Sequence, residues 1–168
     1  MSWQKIDLWP EGPAGIEAKY RIEDRVLYCY AHGSNHVLDW LHHVLPGEAE
    51  RERRGAIELF KRLIRLKDRF DMATLGGHSL GAPVAIACAD MMEHREIPVV
   101  CYAFGGKRPL MPYDCLVYAY RHSGDIVPAL PPWRQPYRGM AVFGTWTFPW
   151  LAHKPERYEQ FRQEAGLL

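Results

Sequence analysis

A serine flanked two residues away on each side by glycine, Gly77-His78-Ser79-Leu80-Gly81, is the stretch best suited to do chemistry. An apolar run, Met72 to Leu75, leads into it. A run of small and apolar residues, Val84 to Ala89, leads out. That order reads as strand, sharp turn and helix. In so tight a turn the serine backbone is strained, and the residues two away must be small. The hydroxyl then stands exposed above the sheet edge. The Leu80 N–H points the same way, where it can receive a developing oxyanion. Pro83 falls within the first four helical positions, whose N–H groups have no intrahelical partner, so it is tolerated. The alternative is a glycine-rich strand-to-helix turn without chemistry.

A serine hydroxyl is a poor nucleophile until a base takes its proton, and the base needs an acid to fix its tautomer and stabilise its cation. The G-x-S-x-G turn is the nucleophile elbow of α/β-hydrolases, whose partners follow in the order Ser, Asp or Glu, His. Asp125 is the best-placed acid, just past a strand end in Asp125-Ile126-Val127-Pro128. Asp114 lies at the opposite end of the same strand. Only His153 follows Asp125, so chain order leaves one candidate base. The second oxyanion donor is expected from Ser34 in the Gly33-Ser34 loop, unless that loop is a plain turn capped by Ser34 or Asn35. His32 and His78 flank the site and are candidate substrate contacts, with the His78 ring packed beside the elbow. His122 reads as structural. His36, His42, His43 and His94 read as surface or partly buried helix residues.

The elements that must position these groups alternate strand and helix. Strands are expected over Ile16 to Ile22, Val26 to Ala31, Ile97 to Phe104 and Cys115 to Tyr120, with a weaker one over Arg138 to Trp146. Helices are expected over Val37 to Val44, Glu48 to Arg69 and Pro155 to Gly166. In the long helix Ile57, Phe60 and Ile64, with Leu59, Leu63 and Leu66 beside them, mark the core stripe, while its charges, Glu48 to Arg54, read as a solvated face. The first fifteen residues read as irregular. The pattern predicts one α/β domain over residues 1–168, a mostly parallel central sheet with helices on both faces. Sites in such sheets lie beyond the carboxyl ends of the strands. Four of those ends carry suggestive loops, at Gly33-Ser34, His78-Ser79, Gly105-Gly106 and Gly124-Asp125.

The 168 residues are 48% hydrophobic and 24% charged, with a net charge of +1 and no block of one sign. Nucleic acid is therefore not indicated as a partner. No apolar run approaches a membrane span, and the N-terminus lacks the apolar core of a signal peptide. Cys29, Cys88, Cys101 and Cys115 lie in apolar segments without metal-ligand spacing, so they read as reduced core residues in a cytoplasmic protein, with neither metal nor cofactor. Trp133, Trp146, Phe148, Trp150 and Leu151 either line an acyl pocket or pack the core.

Four stretches resemble the class 3 lipases, the fungal triacylglycerol-lipase type of α/β-hydrolase. Ala31-His32-Gly33-Ser34 with Asp39-Trp40-Leu41 resembles the family's F-R-G-T/S loop and D-W-L helix. Gly77-His78-Ser79-Leu80-Gly81 is its G-H-S-L-G. Tyr102 to Pro109 resembles its F-G-x-P-R segment, and Asp125-Ile126-Val127-Pro128 through Pro132 its D-I-V-P-x-L-P-P. The resemblance implies Ser79 as nucleophile, Asp125 and His153 as its triad partners, and Ser34 and Leu80 as the oxyanion hole. It implies acyl-ester hydrolysis through an acyl-enzyme. Phospholipase A1, thioesterase and acyltransferase chemistry, or a non-catalytic binding role, are the alternatives. The substrate is a small-molecule or lipid ester, and transient contact with a lipid interface is compatible with this. Departures are His32 in place of the family's arginine, a short chain, no evident lid segment, and Ala152-His153-Lys154 in place of a D-H context.

Overall fold

The computed structural model describes residues 2–8, 16–33, 48–130, 132, 134 and 136–167. Among them, seven strands form one sheet: β1 (Gln4–Asp7), β2 (Glu17–Glu23), β3 (Val26–His32), β4 (Met72–His78), β5 (Val99–Phe104), β6 (Leu116–His122) and β7 (Ala141–Phe143). They lie side by side in chain order. β1, β2 and β3 are antiparallel, and β3 through β7 are parallel. Helix α1 (Glu48–Ile64) precedes β4, α2 (Gly81–Glu93) joins β4 to β5, and α3 (Pro149–Ala152) and α4 (Pro155–Glu164) follow β7.

The two-residue pleat sorts side chains onto two faces. One face is small and apolar: Cys29, Ala31, Ala73, Cys101, Ala103 and Ala119 are buried there. Small side chains let α2 come close, and α2 is buried nearly all round, which is what a helix apolar on every side requires. It packs against β3, β4 and β5, and α1 packs against it. The other face is aromatic. Tyr30 and Phe104 are buried beneath Tyr158 of α4, with Tyr120, Phe143 and Phe161 packed around them. The expected sheet with helices on both faces is observed.

Register decides where the site can form. His32 pairs with His78, His78 with Phe104, and Phe104 with Tyr120, so β3, β4 and β5 end in one row and β6 runs two residues past it. The loops leaving them converge at one edge.

Several expectations need correction. Residues 4–7 form a strand, because they pair along β2 despite the turn-rich residues that follow. Helix α1 ends at Ile64 and not Arg69. A tightened turn and a short 3-10 segment, Lys67–Arg69, follow, and they bring Phe70 into the core. Of the expected stripe of α1 Leu59 and Leu63 are buried, joined by Glu52, Gly55 and Ala56, while Ile57, Phe60, Ile64 and Leu66 are only half-buried along its flanks. The reason is the neighbour: Gly55 faces Val84 of α2, so the smallest residues mark the closest approach.

The solvated-face reading also fails at Glu52. Its side chain is 1% exposed, with Lys107 Nζ at 3.2 Å from one oxygen and an Arg134 guanidinium nitrogen at 2.5 Å from the other. This carboxylate ties α1 to the loop after β5 and to the loop before β7. Removing one member of a buried ion pair costs about 3 kcal/mol or more, because its partners stay desolvated. Glu52→Gln is expected to lower the unfolding free energy by that amount, read as a fall in the urea midpoint at an unchanged slope. An unchanged midpoint would mean that the cations are solvated instead.

Candidate active site

The elbow forms as the glycines require. Ser79 sits at φ +55°, in the left-handed region that costs a non-glycine residue about 1 kcal/mol or more. A Cβ on Gly77 would lie 2.4 Å from the Gly81 carbonyl oxygen, and one on Gly81 would lie 2.2 Å from that of Ala31. Neither position admits any other residue without moving backbone. The turn is pinned by the Ser79 N–H donating to the Phe104 carbonyl at 3.2 Å, and by the Lys107 and Ala82 N–H groups donating to the Ser79 carbonyl at 3.3 Å.

Three of the sequence-predicted residues meet. His153 Nε2 stands 2.9 Å from Ser79 Oγ, and His153 Nδ1 stands 2.9 Å from Asp125 Oδ2. Asp125 accepts only, so Nδ1 carries the proton of the neutral ring and Nε2 is left free to accept one. Asp125 is 1% exposed. Its Oδ1 accepts the Val127 N–H at 2.9 Å, which fixes the carboxylate at the end of β6. His153 follows α3 directly. Its N–H donates to the Pro149 carbonyl at 3.0 Å, so this one short turn sets the ring's position.

His78 does not face open space. Its ring is buried and stacks on His153, with centroids 4.9 Å apart and planes at 26°. Burial first, then the neighbouring His153 and His32, holds it well below the usual histidine range, with a partial offset from the His153 backbone. His78 is therefore a neutral wall for the imidazole. His32 is half-buried, 5.7 Å from His78 between ring centroids, and its Nδ1 donates to the Gly33 carbonyl at 2.7 Å. His122 is buried and donates from Nδ1 to the Ser123 carbonyl at 2.8 Å.

Leu80 is the N-cap of α2, at the end where amides lack a partner inside the helix. Gly33 closes against it: a Cβ there would lie 2.9 Å from Leu80 N. The loop leaving β3 thus meets the elbow amide. The expectations for Ser34, the Val37 to Val44 helix, Asp39-Trp40-Leu41, His36, His42, His43 and Trp133 lie outside the described residues.

Trp146, Phe148 and Trp150 are exposed by 68%, 53% and 55%, so they do not pack the core. Phe148 and Trp150 stack with centroids 5.0 Å apart, and Trp146 lies 5.7 Å from Phe148. They form a ridge that ends three residues before His153. One residue of the site was missed in the sequence, namely Tyr158, whose hydroxyl donates to Asp125 Oδ2. Its only signal was an aromatic residue five positions after the candidate base. Among the described residues no cluster of ligating side chains could hold a metal ion.

No family model and no curated protein matches the sequence. Solved structures do. Nonglycosylated LIP2 lipase of Yarrowia lipolytica superposes over 84% of this chain and 66% of its own, at 13% identity and a TM-score of 0.69. Dienelactone hydrolase of Anabaena variabilis superposes over 98% of this chain and 94% of its own, at 15% identity and a TM-score of 0.55. The chain has the α/β-hydrolase fold. Lipase II of Rhizopus niveus is similar over 76% of this chain and 61% of its own, at 15% identity and a TM-score of 0.52. The chain thus spans about three fifths to two thirds of the length of these fungal lipases. In the α/β-hydrolase fold the edge where strands end is where ligands bind. Ser79, Asp125 and His153 all lie at that edge.

Proposed function

We propose that the chain is a serine hydrolase of carboxylic esters, of the class 3 lipase type, with Ser79, His153 and Asp125 as its triad. The observation that carries this reading is the unbroken hydrogen-bonded chain from Ser79 Oγ through His153 to buried Asp125, mounted on a left-handed serine at an elbow. Strain held at the serine beside a base supports nucleophile activation.

Ser79 Oγ attacks the ester carbonyl carbon while its proton passes to His153 Nε2. The carbonyl oxygen becomes an anion, held by the Leu80 N–H and by Ser34. The imidazolium is stabilised by Asp125 and returns its proton to the alkoxide oxygen as the C–O bond breaks, releasing the alcohol. A water then attacks the acyl-enzyme by the same route and frees the acid. No cofactor or metal enters. The aromatic ridge beside His153 suits an acyl chain or a lipid surface, since Trp and Phe keep large apolar area at a wet boundary. Four buried free cysteines favour a reducing, cytoplasmic setting. No described helix is long and apolar enough to cross a membrane. One domain over residues 1–168 suffices to supply these residues.

The test is hydrolysis of p-nitrophenyl esters from acetate to laurate. Soluble short-chain esters should be turned over, with no jump in rate at the solubility limit. The base must be neutral to accept a proton, so kcat/KM should rise with pH on the acid side of its profile. Trp146→Ala with Trp150→Ala should raise KM for the longer esters several-fold and leave acetate unchanged, as expected for lost apolar contact. A folded protein that hydrolyses neither esters nor thioesters and takes no fluorophosphonate adduct is not a serine hydrolase.

A further inference from the structure

Asp125 Oδ2 serves two donors, although a base needs only one. His153 Nδ1 approaches it at 2.9 Å, and the Tyr158 hydroxyl donates to the same oxygen. The Tyr158 oxygen in turn accepts the His122 N–H at 2.9 Å, so the hydroxyl proton has one direction left, toward Asp125. Tyr158 is 1% exposed. Its ring lies 5.1 Å from His78, 5.3 Å from Phe143 and 6.5 Å from His153 between centroids. Room for it is built into the chain. Gly105 sits at φ +54°, and a Cβ there would lie 2.6 Å from Tyr158 Cζ and 2.8 Å from Asp125 Oδ2.

We propose that Tyr158 is a positioning residue that sets how strongly Asp125 holds His153. This rests on the reading of Ser79, His153 and Asp125 as a triad. The hydroxyl fixes the carboxylate plane, with Val127 N–H as the second anchor on Oδ1. It also draws charge from Oδ2, which weakens the hold on the imidazolium and leaves more of the ring neutral. Burial first, then the Asp125 carboxylate, pushes the phenol up, so it stays a donor throughout the working range.

The other groups facing this pair are Ser79 and His78 of the elbow, with His32 one ring further. Arg121 of β6 acts on Tyr158, and half-buried Tyr137, before β7, lies near Asp125. His78 and Tyr137 are both held in their neutral forms by burial. None of these groups other than His153 and Tyr158 hydrogen-bonds Asp125 Oδ2.

Tyr158→Phe keeps the ring and removes only that donor. Oδ2 then turns all its charge on His153, and the imidazolium persists to higher pH. The rising limb of kcat/KM is expected to move up by roughly half a pH unit or more, because a hydrogen bond to a charged group is lost. The carboxylate is also less well aimed, so kcat should fall about tenfold with KM unchanged. Phe161→Leu, which packs in the same aromatic cluster without touching the carboxylate, should lower stability and leave the limb in place.

The same shift should be read directly from the His153 ring protons by NMR titration in the wild type and Tyr158→Phe, whether or not an ester is turned over. An upward shift there supports the role of Tyr158 even if no ester is hydrolysed, in which case only the hydrolase reading fails. A His153 midpoint identical in both proteins overturns the proposal, and Tyr158 is then core packing.

Discussion

Replacing Ser79 by alanine is expected to lower kcat on p-nitrophenyl esters on the order of a millionfold, the scale on which removing a triad nucleophile acts. His153 Nε2 would then face a methyl group. The oxyanion site and the apolar surroundings would remain, but no bond to the acyl carbon could form. Stability should barely move. Alanine tolerates φ +55° no worse than serine does, and the elbow depends on Gly77 and Gly81, where any Cβ would strike backbone. Far-UV circular dichroism and Tm should therefore match the wild type within a few degrees. Turnover that survives in the alanine protein would mean that the nucleophile lies elsewhere.

The parts of this site legible in the sequence are those whose local chemistry is self-contained. The elbow is visible because glycine, serine and glycine at fixed spacing answer to a clash within one turn. Asp125 and His153 follow from chain order, since only one histidine comes after the acid. Most strands were legible because runs such as residues 26–31 are apolar on both faces. What was not legible depends on neighbours distant in the chain. Glu52 looks like one more charge in an exposed run until Lys107 and Arg134 are brought to it. Gly55 and Ala56 look like interruptions in an apolar stripe until α2 arrives and needs the room. Tyr158 looks like an ordinary aromatic of an amphipathic helix until β6 delivers Asp125 to its hydroxyl. The aromatic ridge was open to either of two readings, and only exposure separates them. Trp146 at 68% is not core packing.

The second large effect concerns the base and its acid. His153→Ala removes the proton acceptor and should cost on the order of 10⁴-fold or more in kcat, abolishing the rising limb of the pH profile. Asp125→Asn should cost about 10⁴-fold, for a reason visible in the hydrogen bonds. If the new NH₂ takes the place of Oδ2, it confronts two donors, the Tyr158 hydroxyl and His153 Nδ1–H. The imidazole must then carry its proton on Nε2, where it can no longer accept one from Ser79. If the NH₂ takes the place of Oδ1, it confronts the Val127 N–H, and the charge that stabilised the imidazolium is still gone. Either way the fold should persist, with near-UV circular dichroism unchanged.

In the proposed triad Asp125 acts only through the His153 ring, which makes the two losses dependent on each other. The double variant, Asp125→Asn with His153→Ala, tests this most directly when its kcat is set beside those of the two single variants. A triad requires the double variant to be no worse than His153→Ala alone, within a few-fold. A loss equal to the product of the two single losses would show that the residues act independently, and Ser79 would then have no relay behind it.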